Sequence, residues 1–475
     1  VTDQEQSPLR LREGSDDYRQ AEFLADHFER GIRFDHSTKR WHIWNGVRWA
    51  PDQVADVENA VLEYAKKAIL AKNMSKVEGA AYFKLLNMAS VAKALEALAT
   101  MDDYKTDGSD WDQDPNLLGC ENGIVDLRVN ALVDNPGPEM LVTKTTGHKF
   151  VPFDSERDTF ESRAPKFWQF LMEVTSEDTE LALFYLLWFG YSLFGHTQEQ
   201  RFLVLIGAGR NVKGALVNTI RHTFGEYNAK ADSGLYMRTR FGSARSDGAR
   251  ADLMALKGGR VAIMSEPDGG EFNEEMLKAH TGGDPITARA LFSNNVVSWV
   301  PTHSITFLTN QPPSVRDVGP AMAARVMIAD FRERYEGERE NKRLYGQLEA
   351  EAEGILAILC WAAKVWYDSE LGLPIPARIQ KASEEYLNSN DPIGQSMNDI
   401  FVIEPGAKSP AKHLYEAFTD WYMRSGATDD PPSMNVFAQH LAKRGLRNQH
   451  TRTGRVWHGI RVKNAMEIAE GSDEE

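Results

Sequence analysis

Cysteine is nearly missing: the 475 residues hold two, Cys120 and Cys360, with no His or second Cys beside either. That scarcity excludes a zinc ribbon and a disulfide framework and suits a reducing compartment. Positive charge is short as well, since 54 Lys and Arg stand against 69 Asp and Glu and leave a net charge of −15. Such a balance argues against coating nucleic acid through bulk charge, while leaving room for a local basic surface. Long apolar runs are absent. The greasiest stretch, Leu181 to Gly195, is broken by Tyr185, Gly190, Tyr191 and Ser192. It falls short of the roughly 20 residues that span a bilayer, so it reads as a buried core helix, and no membrane partner is expected. The polar, charged start lacks a signal-peptide pattern, and no internal repeat is visible. What remains is ordinary: 42% apolar and 26% charged residues, a soluble composition with length for about three domains.

The ends, 1–17 and 466–475, are polar and read as disordered. Ala21, Phe23, Leu24 and Phe28 then follow a helical pattern, and RWHIWNGVRW reads as a hairpin turning at Asn45-Gly46 with Trp41, Trp44 and Trp49 as packing groups. Residues 55–101 carry Ala, Leu, Lys and Glu at helical spacing. Asp110, Asp112, Asp114 and Glu121 sit at positions 1, 3, 5 and 12 of a calcium loop, but Pro115 takes the place of the turn glycine. LLGCENGIVDL follows as turn and strand, so calcium binding is not expected. Between 201 and 332 strands and helices alternate, the pattern of a mainly parallel sheet. Helices are predicted over 337–390, a linker near Asn388 to Pro392, and a compact unit over 393–465.

FLVLIGAGRNVKGALVNTIRHTF is an apolar strand, a Gly-rich turn and a helix. Phosphates bind such a joint because backbone N–H groups of the loop and helix start cradle them while a lysine reaches the terminal ones. Against G-x-x-x-x-G-K-[ST], Gly207 and Lys213 match; Val212 replaces a glycine, and Gly214 replaces the magnesium-binding hydroxyl. Three further segments supply complementary chemistry. GGRVAIMSEP ends a strand at Glu266, placed to hold magnesium through water or polarise an attacking water; SITFLTN ends at Asn310, which can orient water at the γ-phosphate; AMAARVMIADF offers Arg325 before a strand.

The ordered set GAGRNVKG, RVAIMSEP, LKAHTGGDPITAR, TFLTNQPP and AARVMIADF resembles the superfamily 3 helicases of the phage and plasmid primase–helicase group, related to poxvirus primase–helicases. LLGCENGIVDL and DPIGQSMNDIF resemble flanking parts of that family, so the likeness runs from about 18 to 463. It implies an AAA+-type ring, usually hexameric, that hydrolyses ATP with Mg2+ and moves along single-stranded DNA. By position, Lys213 becomes the Walker A lysine, Glu266 the Walker B acid, Asn310 the sensor and Arg325 an arginine finger. The nucleotide loop would comprise Gly207, Ala208, Gly209, Arg210, Asn211, Val212, Lys213, Gly214 and Ala215. The stretch from Lys278 through Arg289 to Asn294 and Asn295 would form a DNA-binding hairpin facing the pore. Val212 is the departure: a β-branched residue resists φ > 0 and crowds phosphates, which predicts slow turnover or weakened nucleotide binding.

In the last unit, Leu414, Ala417, Phe418, Trp421 and Tyr422 share a helical face. A second helix starting near Ser433 is expected to carry Val436, Phe437 and Leu441 inward, and RNQHTRTGRVWHGIRVK reads as a hairpin turning at Thr453-Gly454. Helix, helix, hairpin is a winged-helix order. Lys443, Arg444, Arg447, Arg452, Arg455, Arg461 and Lys463 gather there with no acid between 441 and 463, a pattern suited to phosphate contact or, alternatively, a docking surface.

The expected fold class is therefore multidomain α/β. A disordered N-terminus (1–17) precedes a hairpin and helical domain (18–160) and an AAA+-like P-loop ATPase core with a helical collar (161–335). A helical extension (336–390), a winged helix (393–465) and an acidic tail (466–475) follow. The expected function is an ATP-dependent replicative DNA helicase of a phage or mobile element in the bacterial cytoplasm. Single-stranded and forked DNA, a homo-hexameric ring, and a separate primase or other replication proteins are the expected partners. About 150 residues before the collar are too few for a primase as well as a linker domain. A DNA-binding ring or origin-recognition scaffold with a decayed ATPase is the alternative that Val212 and Gly214 motivate; a stand-alone phosphotransferase is a third.

Overall fold

The computed structural model describes residues 16–71, 76–207, 213–238, 250–265, 270–289, 296–316, 318–331, 343–425, 430–452, 454–464 and 467. The first region opens with helix α1 (Asp16–Phe28), strands β1 (Ile32–Asp35), β2 (Arg40–Trp44) and β3 (Trp49–Pro51), and helices α2 (Asp56–Leu70), α3 (Lys76–Lys84) and α4 (Met88–Leu98). The hairpin read from RWHIWNGVRW forms, with Trp44 opposite Trp49. The sheet is larger than that hairpin: β1 adds antiparallel to β2, and β4 (Lys105–Thr106) adds parallel to β1. Trp41 and Trp49 are buried, and the Trp49 indole N–H donates to the Pro138 carbonyl at 2.8 Å. Packing, not base stacking, occupies them.

A second sheet holds β5 (Leu117–Cys120), β6 (Gly123–Asp126) and β7 (Ala131–Leu132) in sequence order. Here strand follows the carboxylate-rich loop where a calcium site would need a helix. The carboxylates hold the chain: Asp112 accepts from the Thr143 N–H, 31 residues away, at 2.8 Å, and Asp114 holds a local turn by accepting from the Asn116 N–H at 2.9 Å.

Helices α5 (Phe160–Arg163), α6 (Pro165–Val174) and α7 (Thr179–Tyr191) follow. Asp178 caps α7 by accepting from the Leu181 N–H, and nearly every residue after its first turn is buried or half-buried. This is the buried core helix expected of the apolar run. Its Trp188 donates to Thr306 at 3.0 Å inside the core. Among the described residues no helix is long and apolar enough to cross a membrane.

Next come β8 (Phe202–Ile206), α8 (Lys213–Phe224), β9 (Asn228–Ala229), α9 (Ala251–Met254), β10 (Val261–Ser265), α10 (Glu274–Gly282), β11 (Ile286–Arg289), β12 (Val296–Trp299), β13 (Ser304–Thr309), α11 (Pro320–Ala323) and β14 (Val326–Asp330). Five of these strands make one parallel sheet in the order β14-β8-β13-β10-β9. Both faces are covered, as parallel sheets require. Leu203, Leu205, Val261 and Ile263 face a core shared with α7 and α8. Their alternates Phe202, Val204, Ala262 and Met264 face Leu277 of α10, Tyr236 and Phe272. Period-two side-chain alternation thus divides each apolar strand between two layers.

Three helices, α12 (Leu344–Glu349), α13 (Ala352–Asp368) and α14 (Ala377–Ser389), lead to the last region. The close approach of α13 to α7 depends on Gly190, where an added Cβ would stand 2.7 Å from the Ala363 nitrogen. The expected linker near Asn388 to Pro392 is instead a tight joint: α15 (Pro392–Asp399) starts three residues after α14 ends, capped by Asp391, and Asn390 accepts from the Val315 N–H at 2.9 Å. Then follow β15 (Phe401–Pro410), α16 (Ala411–Arg424), α17 (Met434–Lys443), β16 (Arg447–Thr451) and β17 (Gly454–Val462). The hairpin β16–β17 forms as read, and β15, unforeseen, completes a sheet ordered β15-β17-β16. FVIEPGAKSP hides that strand because Pro405 and Gly406 interrupt it; the pairing shifts register between Ile403 and Lys408. Phe437 and Leu441 point into this core, but Val436 is 43% exposed, a correction to its inward assignment. It precedes Phe437 and turns away with the helical period.

Candidate functional site

β8 ends at Ile206 and α8 begins at Lys213, so a strand leads into a helix in the order a phosphate loop needs. Ala208, Gly209, Arg210, Asn211 and Val212 lie outside the described residues, as does Glu266. Lys213 is buried at the first turn of α8. Its ammonium donates to the carbonyls of Gly207 and Thr309, the latter at 2.8 Å, and to the Asn310 side-chain oxygen at 3.2 Å. Lys213 and Asn310 are thus brought together across 97 residues. The cause is the sheet: β13 lies beside β8, with Thr309 opposite Ile206. β10 flanks β13 on its other side, Ser265 opposite Leu308, so the chain reaches the residue before Glu266 at the same edge. Gly214, in the first turn of α8, would have nothing within 4 Å of an added Cβ among the described residues. Ala215 follows, half-buried against the core beneath.

Two contributors escaped the sequence reading. Thr309 fixes the turn after β13 by donating from its hydroxyl to the Gln311 carbonyl at 2.6 Å. Arg221, one face down α8, donates to the Ile263 carbonyl at 2.8 Å and ties the helix to β10; burial lowers its pKa. Nothing in the residue types marks either: Arg221 acts through a carbonyl that only the folded sheet brings near, and the Thr309 carbonyl meets Lys213 for the same reason.

Arg325 lies elsewhere. It precedes β14, whose first residue Val326 pairs with Phe202 at the opposite end of β8. About five residues of strand, or ~17 Å, separate the two ends. Arg325 donates to the Thr281 hydroxyl at 3.2 Å and to the Ala321 carbonyl at 2.7 Å. It borders a cleft of about 670 Å³ with Gln200, Arg238, Glu274, Lys278 and Asp284. Lys278 therefore belongs to α10 and this cleft, not to the hairpin to which it was assigned. The segment's helical half runs to Gly282 and ends at Gly283, left-handed at φ 85°. The hairpin itself is β11–β12, with Arg289 opposite Val296; Asn294 and Asn295 lie outside the described residues.

The C-terminal cations divide. Arg444 pairs with Asp391 at 3.0 Å, joining α17 to the α14–α15 joint, and Arg461 pairs with Glu404 and Glu467. The absence of acids between 441 and 463 concealed these partners: Asp391 and Glu404 come from distant sequence, and Glu467 lies just past the window. Arg447, Arg452 and Arg455 are exposed on or beside the β16–β17 hairpin, and Lys443 ends α17. Among the described residues no group of three or more His, Cys, Asp or Glu is placed to hold a metal ion.

The site is thus a central parallel sheet with a buried lysine at the strand–helix joint and an asparagine just past the end of the neighbouring strand. Comparison with known proteins bears on the family. Residues 21–176 match the family described as "D5 N terminal like". "Putative helicase L207/L206" of Acanthamoeba polyphaga mimivirus is 24% identical over 69% of this chain and 35% of its own length. "Putative helicase 184R" of Invertebrate iridescent virus 6 is 22% identical over 74% of this chain and 39% of its own. The chain is similar to these viral proteins, and its matches span little more than a third of their length. The A-form apo structure of the NrS-1 C-terminal region aligns over 94% of this chain and 99% of that one, with a TM-score of 0.48 and 11% identity.

Proposed function

We propose that this protein is an ATP-dependent DNA helicase acting in replication of a phage or mobile element, assembled as a homo-oligomeric ring that moves on single-stranded DNA. The observation that carries this reading is the opposite placement of two charges: Lys213 with Asn310 at one end of β8, Arg325 at the other. A single chain cannot bring both to one phosphate. Adjacent copies related by rotation can, one supplying Lys213 and Asn310 and the next supplying Arg325. In that arrangement Lys213 exchanges its carbonyl partners for the β- and γ-phosphates, Asn310 orients the attacking water, and Arg325 offsets charge as the γ-phosphoryl leaves.

Magnesium, when bound, would neutralise phosphate charge. Gly214 offers it no oxygen, so Glu266 would hold it through water, a thin donor set. The winged-helix reading of α16, α17 and the β16–β17 hairpin is part of the same proposal, with Arg447, Arg452 and Arg455 as phosphate contacts and forked DNA as substrate. A separate primase would be the natural partner.

Val212 and Gly214 favour a second reading, a DNA-binding ring or origin-recognition scaffold with a weakened ATPase. ATP-dependent strand displacement on a forked duplex decides between them. Displacement that needs ATP and vanishes in Lys213→Ala supports the helicase; DNA binding by a ring without turnover supports the scaffold.

A further inference from the structure

Beneath the β11–β12 hairpin lies a buried polar cluster that the nucleotide site does not use. Tyr236, His280 and His303 are each less than 5% exposed. The Tyr236 hydroxyl lies 2.8 Å from His280 Nδ1 and 3.1 Å from His303 Nε2. Two of the ring planes, those of His280 and His303, are nearly perpendicular at 88°.

The hydroxyl has one proton, so it donates to one imidazole and accepts an N–H from the other. His303 Nδ1 has no partner among the described residues. Were Tyr236 to donate to His303 Nε2, a neutral His303 would carry its proton on Nδ1, an unpaired buried donor. The less costly arrangement has Tyr236 donating to His280 Nδ1 and accepting from His303 Nε2–H, leaving a bare nitrogen at Nδ1.

The three residues come from the three chain segments that meet at the hairpin root. His280 is on α10, which passes into β11 through residues 283–285 alone. His303 follows β12 and immediately precedes β13, the strand that ends beside Asn310 and Lys213. Tyr236 is fixed from behind, where its carbonyl accepts from the Asn273 N–H at 2.8 Å. Beside His280, Thr281 accepts from Arg325.

We infer that Tyr236, His280 and His303 form a latch that locks the hairpin root to α10 and β13, so that the hairpin moves with the elements holding Arg325 and Asn310. They are positioning residues, and their role in coupling rests on the helicase reading above. The latch itself does not.

The test compares the full chain with Tyr236→Phe by hydrogen exchange without ligand. The latch predicts about tenfold faster exchange over 277–289 and 296–303, with 202–206 and 326–330 unchanged. Equal exchange at the root, or equal acceleration across the sheet, overturns it. A second pair guards against misfolding: His303→Gln, which keeps an N–H donor for Tyr236, should retain root protection within about threefold, and His303→Leu should lose it. Loss in both overturns the latch. Coupling is read as the ratio of single-stranded-DNA-stimulated to basal ATP turnover, expected to fall about fivefold or more in Tyr236→Phe while basal turnover stays within about twofold. An unchanged ratio overturns coupling. A wild-type protein without ATP turnover sinks the helicase reading instead, and exchange alone then decides the latch.

Discussion

Gly214 sits in the first turn of α8, and among the described residues nothing stands within 4 Å of where a Cβ would project. Gly214→Ser adds a hydroxyl at the start of the helix, and under the proposed function it should tighten Mg2+-dependent ATP binding by up to about tenfold. Val212→Gly should act in the same direction by removing a β-branched side chain from a position where the phosphate-loop pattern has glycine. Isothermal titration with an ATP analogue checks both, and affinities equal to wild type would mean that neither residue limits binding.

Buried histidines supply a prediction that does not depend on function. Burial first, and the Arg250 charge second, hold His280 down to about 4. Burial and the neighbouring His280 bring His303 to about 3, and burial with Arg260 brings His196 to about 4. These folded values lie below the ordinary value near 6.5, so between them the unfolded chain binds the extra protons. Their contribution is intact above pH ~6.5 and is lost as pH falls toward ~4. Unfolding at pH 5 should take up about three protons from these groups. A urea midpoint that does not move between pH 7 and pH 5 would contradict this.

Among the elements, α7 and α13 approach closely only because position 190 lacks a side chain. A Cβ there would lie 2.8 Å from the Leu359 carbonyl as well as 2.7 Å from the Ala363 nitrogen. Both are helix backbone and cannot swing aside. Gly190→Val should cost on the order of 3 kcal/mol of stability, measurable by urea unfolding. The β16–β17 hairpin makes a different demand. Arg452 and Arg455 are exposed, whereas Arg444 and Arg461 already have carboxylate partners. Changing Arg452 and Arg455 to Gln should flatten the slope of log affinity against log salt by about 1.4–1.8 for DNA. An unaltered slope would mark the hairpin as a protein-docking surface. Much of this was legible in the chain. Strand–turn–helix order at 202–224, the strand before Glu266 and the helix ending at Gly283 all follow from apolar period and glycine placement. Strand β15 was not, because its Pro405 and Gly406 interrupt the pattern, and the pairing with β17 that sustains it is remote in sequence.

As a molecule, the chain is joined across its regions by polar contacts as well as by apolar cores. Arg260, just before β10, is buried and donates to the carbonyls of Pro115, Leu193 and Leu117, binding β5 and the segment after α7 to the central sheet. Its guanidinium also lies over the Tyr227 ring at 5.5 Å. Arg48 reaches Glu226 at 2.9 Å from the other side. The matched stretch 21–176 is therefore anchored to the parallel sheet, not tethered by a free linker. If the site is completed between copies, Lys213→Ala and Arg325→Ala should each abolish ATP turnover alone. An equal mixture should recover up to about a quarter of wild-type activity, because one interface in four then pairs an intact Lys213 with an intact Arg325. No recovery from mixed rings would show that the two residues do not serve one site across an interface.

What the sequence by itself determined is local: which runs are strands or helices, where glycine ends α10, and which lysine stands at a strand–helix joint. These depend on side-chain period and on chemistry within a few residues. Only the tertiary structure decided that Asn310 meets Lys213, that Arg325 faces the other end of the sheet, and that Lys278 belongs to a cleft on α10. Strand order is set by packing two faces of one sheet at once, and no residue carries its neighbour's identity in its own type. The same holds for the scarce positive charge. Partners from distant segments neutralise part of the C-terminal cluster, and what remains exposed is the hairpin of Arg447, Arg452 and Arg455.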